Sequence, residues 1–113
     1  MLTHLLGPGE ASLWLLTGDQ VSAEDAYRTG LLQRLVPPED VLAVSMSLAA
    51  QIAELAPIAI QRAKYMVRVA QNVPLEAGLV VENDSFAYCM MTADAAEGKR
   101  AFAEKRSATF LGR

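Results

Sequence analysis

Phe102 and Lys105 are the residues here whose types and spacing suggest chemistry. They fall three apart in EGKRAFAEKRSATFLGR, residues 97–113. A helix expected over residues 93–105 places both on one face. An aromatic ring beside an ammonium suits a nucleotide: the ring stacks on the base and the lysine meets a phosphate. Lys99, Arg100, Lys105, Arg106 and Arg113 together concentrate positive charge at the end of a chain whose net charge is −3. The plainer account is that cations near a helix C-terminus are favoured by its dipole, by about 0.3–1 kcal/mol each, and touch only water or Glu104.

Other groups offer less. His4 is the single histidine, with no orienting partner recognisable from spacing. Cys89 lies among Ala87, Tyr88, Met90 and Met91 and reads as a small buried hydrophobe. One His and one Cys cannot make the usual zinc sets, so no metal site is expected. Glu82 and Asp84 are two apart, on different helix faces, and do not form an acid/base pair. Gly7 and Gly9 flank Pro8 without a following phosphate-loop pattern. No catalytic residue is assigned. Gly98 inside a helix costs about 1 kcal/mol relative to Ala, which suggests a close helix contact there.

The elements that must position these residues are helices. Residues 2–6 are a short apolar lead, and Pro8 suits the first turn of a helix over residues 10–16. Ser22 is an N-cap, with Asp25 three residues on, for a short helix over 23–29. Gly30 follows in a C-cap position. Residues 31–36 alternate weakly, as an extended segment would, and Pro37-Pro38 forces a break. Three longer helices follow. The first covers 39–56, with Val41, Leu48, Ile52 and Leu55 in a stripe. The second opens at Pro57, with Ala59, Ala63, Met66, Val67 and Ala70 on its apolar face. The third opens at Pro74, with Leu75, Leu79, Val80, Phe86, Ala87 and Met90 on its apolar face. Thr92 caps the last helix. The expected class is all-α.

Composition narrows the function. The chain has 113 residues, 52% hydrophobic and 6% aromatic. Ala, Leu and Val dominate the apolar content, which suits packed helices. The acidic balance argues against nucleic acid. A lone cysteine excludes an internal disulfide and fits a reducing compartment. No apolar run approaches the roughly 18–20 residues needed to span a bilayer. Gly7 and Pro8 interrupt any leader-like apolar stretch. A soluble cytoplasmic protein without membrane contact is expected.

Three segments carry a family resemblance. LTGDQVSAEDAYRTGLLQRLVPPEDV, residues 16–41, is similar to an L-T-G-x-x-x-x-A-x-x-A-x-x-x-G-L-V pattern, with Leu32 in place of the usual Val. Residues 57–64 are similar to a Pro-then-Lys helix. TADAAEGKRAFAEKR, residues 92–106, is similar to T-x-D-x-x-E-G-x-x-A-F-x-E-K-R. Together these resemble the C-terminal portion of the crotonase superfamily, the enoyl-CoA hydratases and isomerases, over essentially the whole chain.

The resemblance implies an enzyme of fatty acid metabolism that activates an acyl-CoA thioester. Two backbone N–H groups bind the developing enolate oxygen, and carboxylates move a proton or water. Those groups belong to an N-terminal spiral of strands and short helices, which is absent from the segments matched; the leading MLTHLLG is similar to that spiral's end. The implied layout is residues 1–37 as the end of the spiral core with a connecting helix, and residues 38–113 as a helical oligomerisation region with a CoA-contacting tail. Carried over residue by residue, Phe102 and Lys105 contact the adenine nucleotide end of CoA, and no residue matches a catalytic carboxylate. The implied partners are acyl-CoA as substrate, no prosthetic group, and other copies of the chain in a trimer or hexamer. This chain alone is then expected to be inactive. The alternatives are a truncated product serving only as a non-catalytic oligomerisation or CoA-contact module, and a stand-alone small helical binding protein.

Overall fold

Helix boundaries follow from local chemistry at most ends. The computed structural model describes residues 2–113, which divide into two compact units, residues 2–43 and 44–113. The described residues are 71% helical with no strand, so the expected all-α class holds.

In the first unit, α1 (Leu2–Thr17) is broken at Gly7, whose φ of 77° and ψ of 167° only glycine adopts readily. Pro8 restarts the helix where its missing N–H is no loss. The apolar lead expected at residues 2–6 is thus itself helical. Ala11 is buried, Trp14 half-buried, and Leu15 exposed. α2 (Ala23–Arg28) is capped by Ser22, whose Oγ accepts from Asp25 N at 3.0 Å. The Asp25 carboxylate returns not to the Ser22 backbone but to its hydroxyl, at 2.8 Å, and to Arg28. Those bonds, the hydroxyl's first, hold the Asp25 carboxyl below its usual range. Gly30 turns left-handed at φ 84° and closes the helix. Residues 31–36 form no strand. A single 3-10 turn, Pro38–Asp40, leads into α3 (Val41–Ala53), shorter at both ends than the expected 39–56.

The second unit carries most of α3, then α4 (Pro57–Ala70), α5 (Leu75–Met90) and α6 (Ala93–Glu104). α4 packs along α5, and α5 meets α6. Met66 apart, the faces in contact are not those expected. On α5 the inward positions are Gly78, Val81, Ser85 and Cys89, a row of small residues with Ser85 buried. Leu75, Leu79, Val80, Phe86 and Met90 are exposed. On α4 the more covered positions are Ile58, Arg62, Met66 and Val69, while Ala59, Ala63, Val67 and Ala70 are exposed. Small side chains let helix axes approach, and Arg62 fills the remaining space by stacking on Tyr88, 4.1 Å from the ring centre.

Consequently much large apolar surface stays uncovered, including Leu42, Met46, Ile52, Val67, Leu75, Phe86 and Met91. The accessible area is 8896 Å². Two separate compact folds of these sizes would together expose only about 7,300 Å². No single helix among the described residues is long and apolar enough to cross a membrane.

Candidate functional site

The structure organises residues 92–113 as a helix with its tail folded back along it. Thr92 caps α6, its Oγ1 accepting from Ala95 N at 3.2 Å and donating to the Cys89 carbonyl at 2.7 Å. Asp94, in the first turn, is only 3% exposed. Its carboxylate accepts from Leu111 N at 2.7 Å and Gly112 N at 2.8 Å. Asp94 N donates in turn to the Arg113 carbonyl at 3.3 Å. An acid at a helix start is favoured by the dipole, and here it also satisfies two amides of the tail.

One turn further on, Glu97 gathers the next part of the tail. It accepts from Arg106 at 2.6 and 3.1 Å, from Thr109 N at 3.1 Å, and from Arg100. The Arg106 bond is the largest influence, followed by Arg100 and Thr109, and together they hold the Glu97 carboxyl far below the usual carboxylate range. The same contacts, with Glu104, raise the Arg106 guanidinium further. Gly98 leaves room for the Phe110 ring: a Cβ there would meet Phe110 Cε1 at 3.7 Å. The close neighbour of Gly98 is therefore the tail's own aromatic residue, not a helix. At the tail's end, Gly112 has φ 71°, and a Cβ there would lie 3.5 Å from Pro57 at the start of α4.

The helix expected to continue through Lys105 stops at Glu104. Lys105 is left-handed, φ 53° and ψ 39°, and is the single non-glycine residue with positive φ among those described. Its N–H reaches the Phe102 carbonyl at 3.2 Å, and Arg106 N reaches the Ala101 carbonyl at 3.0 Å. That is the Schellman closure, a position that usually takes glycine. For a lysine it costs about 1–2 kcal/mol. Sequence reasoning missed this, because F-x-E-K-R contains no Gly or Asn to announce it.

Phe102 is 88% exposed, and Lys105 is exposed and has no ion-pair partner among the described residues. The two do not share a helical face, since Lys105 lies beyond the helix. Nor does Lys105 meet Glu104, which Arg106 Nε occupies. Of the five cations grouped by the sequence, Arg100 and Arg106 are neutralised by Glu97 and Glu104.

Elsewhere, a groove of about 330 Å³ runs between α4 and α5, lined by Met66, Val69, Val73, Gly78 and Leu79, with Glu82 its one acidic group. It has no converging polar groups and offers no chemistry. No cluster of three His, Cys, Asp or Glu able to hold a metal is found among the described residues.

The set Thr92, Asp94, Glu97, Gly98, Phe110 and Gly112 is one interlocked unit, and its first four members are the T-x-D-x-x-E-G residues of the motif quoted above. The profile of the family described as Enoyl-CoA hydratase/isomerase matches residues 1–113. The chain belongs to the enoyl-CoA hydratase/isomerase family. It is 33% identical over 112 residues to crotonyl-CoA hydratase of Syntrophomonas wolfei, covering 99% of this chain and 43% of that protein. It is 36% identical to 2,3-dehydroadipyl-CoA hydratase of Escherichia coli, covering 99% and 44%. The crystal structure of enoyl-CoA hydratase from Bacillus anthracis superposes with a TM-score of 0.95 at 33% identity, over 99% of this chain and 43% of that one. The chain thus spans a little over two-fifths of these relatives. It corresponds to the helical C-terminal part of a crotonase fold.

Proposed function

We propose that this enoyl-CoA hydratase/isomerase family chain is the nucleotide-contacting helical part of an enzyme acting on acyl-CoA thioesters in the cytoplasm. In this reading Phe102 lies near the adenine of CoA and Lys105 meets one of its phosphates. CoA enters as part of the substrate, with no prosthetic group. The observation that carries the reading is the state of Lys105. It is a cation held in a costly left-handed turn, with no ion-pair partner among the described residues and three positions from an exposed phenyl ring, while the flanking arginines are taken up by Glu97 and Glu104. A lysine kept there without an internal partner suits an external anion.

The enolate-stabilising N–H groups and the acid/base carboxylates belong to the spiral part of the relatives, so residues 1–113 alone hydrate no crotonyl-CoA. Missing oxyanion donors each cost about 100- to 1,000-fold. Two measurements test the proposal. Turnover of crotonyl-CoA by the purified 113-residue chain, surviving repurification, would overturn the inactivity. Titration of the labelled chain with coenzyme A should shift the amides of residues 102–106, and Lys105→Ala should weaken binding; unshifted amides at low salt would refute the contact.

A second reading, a non-catalytic helical oligomerisation module, is favoured by the uncovered apolar residues of α3–α5. Exposed apolar area on this scale drives association. Both readings place copies of the chain together as a trimer or hexamer. Sedimentation at micromolar concentration showing only a 12.2 kDa monomer would oppose that assembly.

A further inference from the structure

Lys105 needs something to hold it. A lysine with a free backbone prefers the right-handed or extended regions, because its Cβ crowds the following carbonyl in the left-handed one. The Schellman hydrogen bonds require a left-handed residue at this position, but they last only while Arg106 N stays over the Ala101 carbonyl. What the structure adds is a brace on both flanks. Before Lys105, the Glu104 carboxylate accepts from Arg106 Nε. After it, the Arg106 guanidinium reaches back to both oxygens of Glu97, at 2.6 and 3.1 Å. Glu97 also takes Thr109 N at 3.1 Å, so the chain is pinned again three residues later. Glu97 is itself part of α6, on a side chain only 12% exposed, and so offers a fixed anchor.

We propose that Glu97 is a positioning residue for the nucleotide contact: through Arg106 and Thr109 it holds Lys105 left-handed and so sets where its ammonium is presented. The inference rests on Lys105 being a phosphate contact. Glu97 touches no ligand in this arrangement. It acts by geometry, and by occupying Arg100 and Arg106 so that neither guanidinium competes with the ammonium for the phosphate.

The test uses the whole 113-residue chain, with coenzyme A as the probe at low salt. Glu97→Gln, Lys105→Ala and the double variant are compared with the parent by two readouts. One is the backbone conformation at Lys105, from its Cα shift and amide-to-Hα coupling. The other is the dissociation constant for coenzyme A. Glu97→Gln is expected to move Lys105 out of the left-handed region and to weaken binding about three- to fivefold. It should add nothing when Lys105 is already alanine. Arg106→Gln, which leaves Glu97 in place, should reproduce both effects and serves if Glu97→Gln does not fold. A left-handed signature retained in Glu97→Gln overturns the proposal. So does unaltered binding in Glu97→Gln while Lys105→Ala binds more weakly. A further loss from Glu97→Gln in the Lys105→Ala background would mean a general structural effect and also overturns it. Lys105→Ala binding as tightly as the parent would instead overturn the phosphate contact itself, and with it the purpose assigned to Glu97.

Discussion

Replacing Asp94 by asparagine should release the end of the tail while leaving the helices in place. The wild-type carboxylate is almost wholly buried and accepts two amides, Leu111 N at 2.7 Å and Gly112 N at 2.8 Å. Asparagine keeps one acceptor oxygen and turns an NH₂ toward the other amide. One hydrogen bond to a charged acceptor is therefore lost, about 1.5–3 kcal/mol. At about 1.36 kcal/mol per tenfold, this raises the tail's opening equilibrium by between about 10- and 150-fold. Amide hydrogen exchange of the 113-residue chain reads that equilibrium residue by residue. Leu111 and Gly112 should exchange faster by this factor. Amides of α4 and α5 should accelerate by no more than this factor, because the loss is capped once the tail has undocked. Exchange at Leu111 and Gly112 within about threefold of the parent would refute the reasoning. The tail would then be held by Phe110 over Gly98 and Gly112 against Pro57, not by the carboxylate.

Three further outcomes are expected. The Glu97 carboxyl is held below its usual range, first by Arg106, so its contribution to stability is fully present above the unfolded-chain value near pH 4.5 and declines as pH falls below it; acid unfolding followed by circular dichroism should show a weaker loss between pH 4.5 and 2.5 in Glu97→Gln than in the parent. Lys105→Gly relieves the left-handed strain and should stabilise the chain by about 1 kcal/mol in urea unfolding, while weakening coenzyme A binding; a destabilised variant would show that the lysine side chain has a structural role. Gly98→Ala puts a Cβ 3.7 Å from the Phe110 ring, an ordinary contact, and should stabilise α6 by about 0.5–1 kcal/mol, seen as a raised Tm; a lowered Tm would show that the tail cannot accommodate even this methyl group.

Helix limits and family membership were legible in the residues because both depend on short, local patterns. Ser22, Gly30, Pro57 and Thr92 act on neighbours within about four positions, and each marks the end of a helix the structure confirms. The T-x-D-x-x-E-G and F-x-E-K-R spacings placed the chain in its family, but not the physical reason for the spacings. That reason lies in contacts the sequence leaves implicit. Asp94 finds its partners 17 and 18 positions on, and Glu97 finds its partners 9 and 12 on, only because the tail doubles back. Periodicity showed which side chains of α5 share a face; it could not show that the small row of Gly78, Val81, Ser85 and Cys89 turns inward while the larger Leu75, Leu79 and Phe86 stay out. The left-handed turn at Lys105 was equally invisible, because no glycine stands there. A residue's own preferences set the short-range structure, but which face is covered and which strained backbone is tolerated depend on the partners that the tertiary fold brings to it.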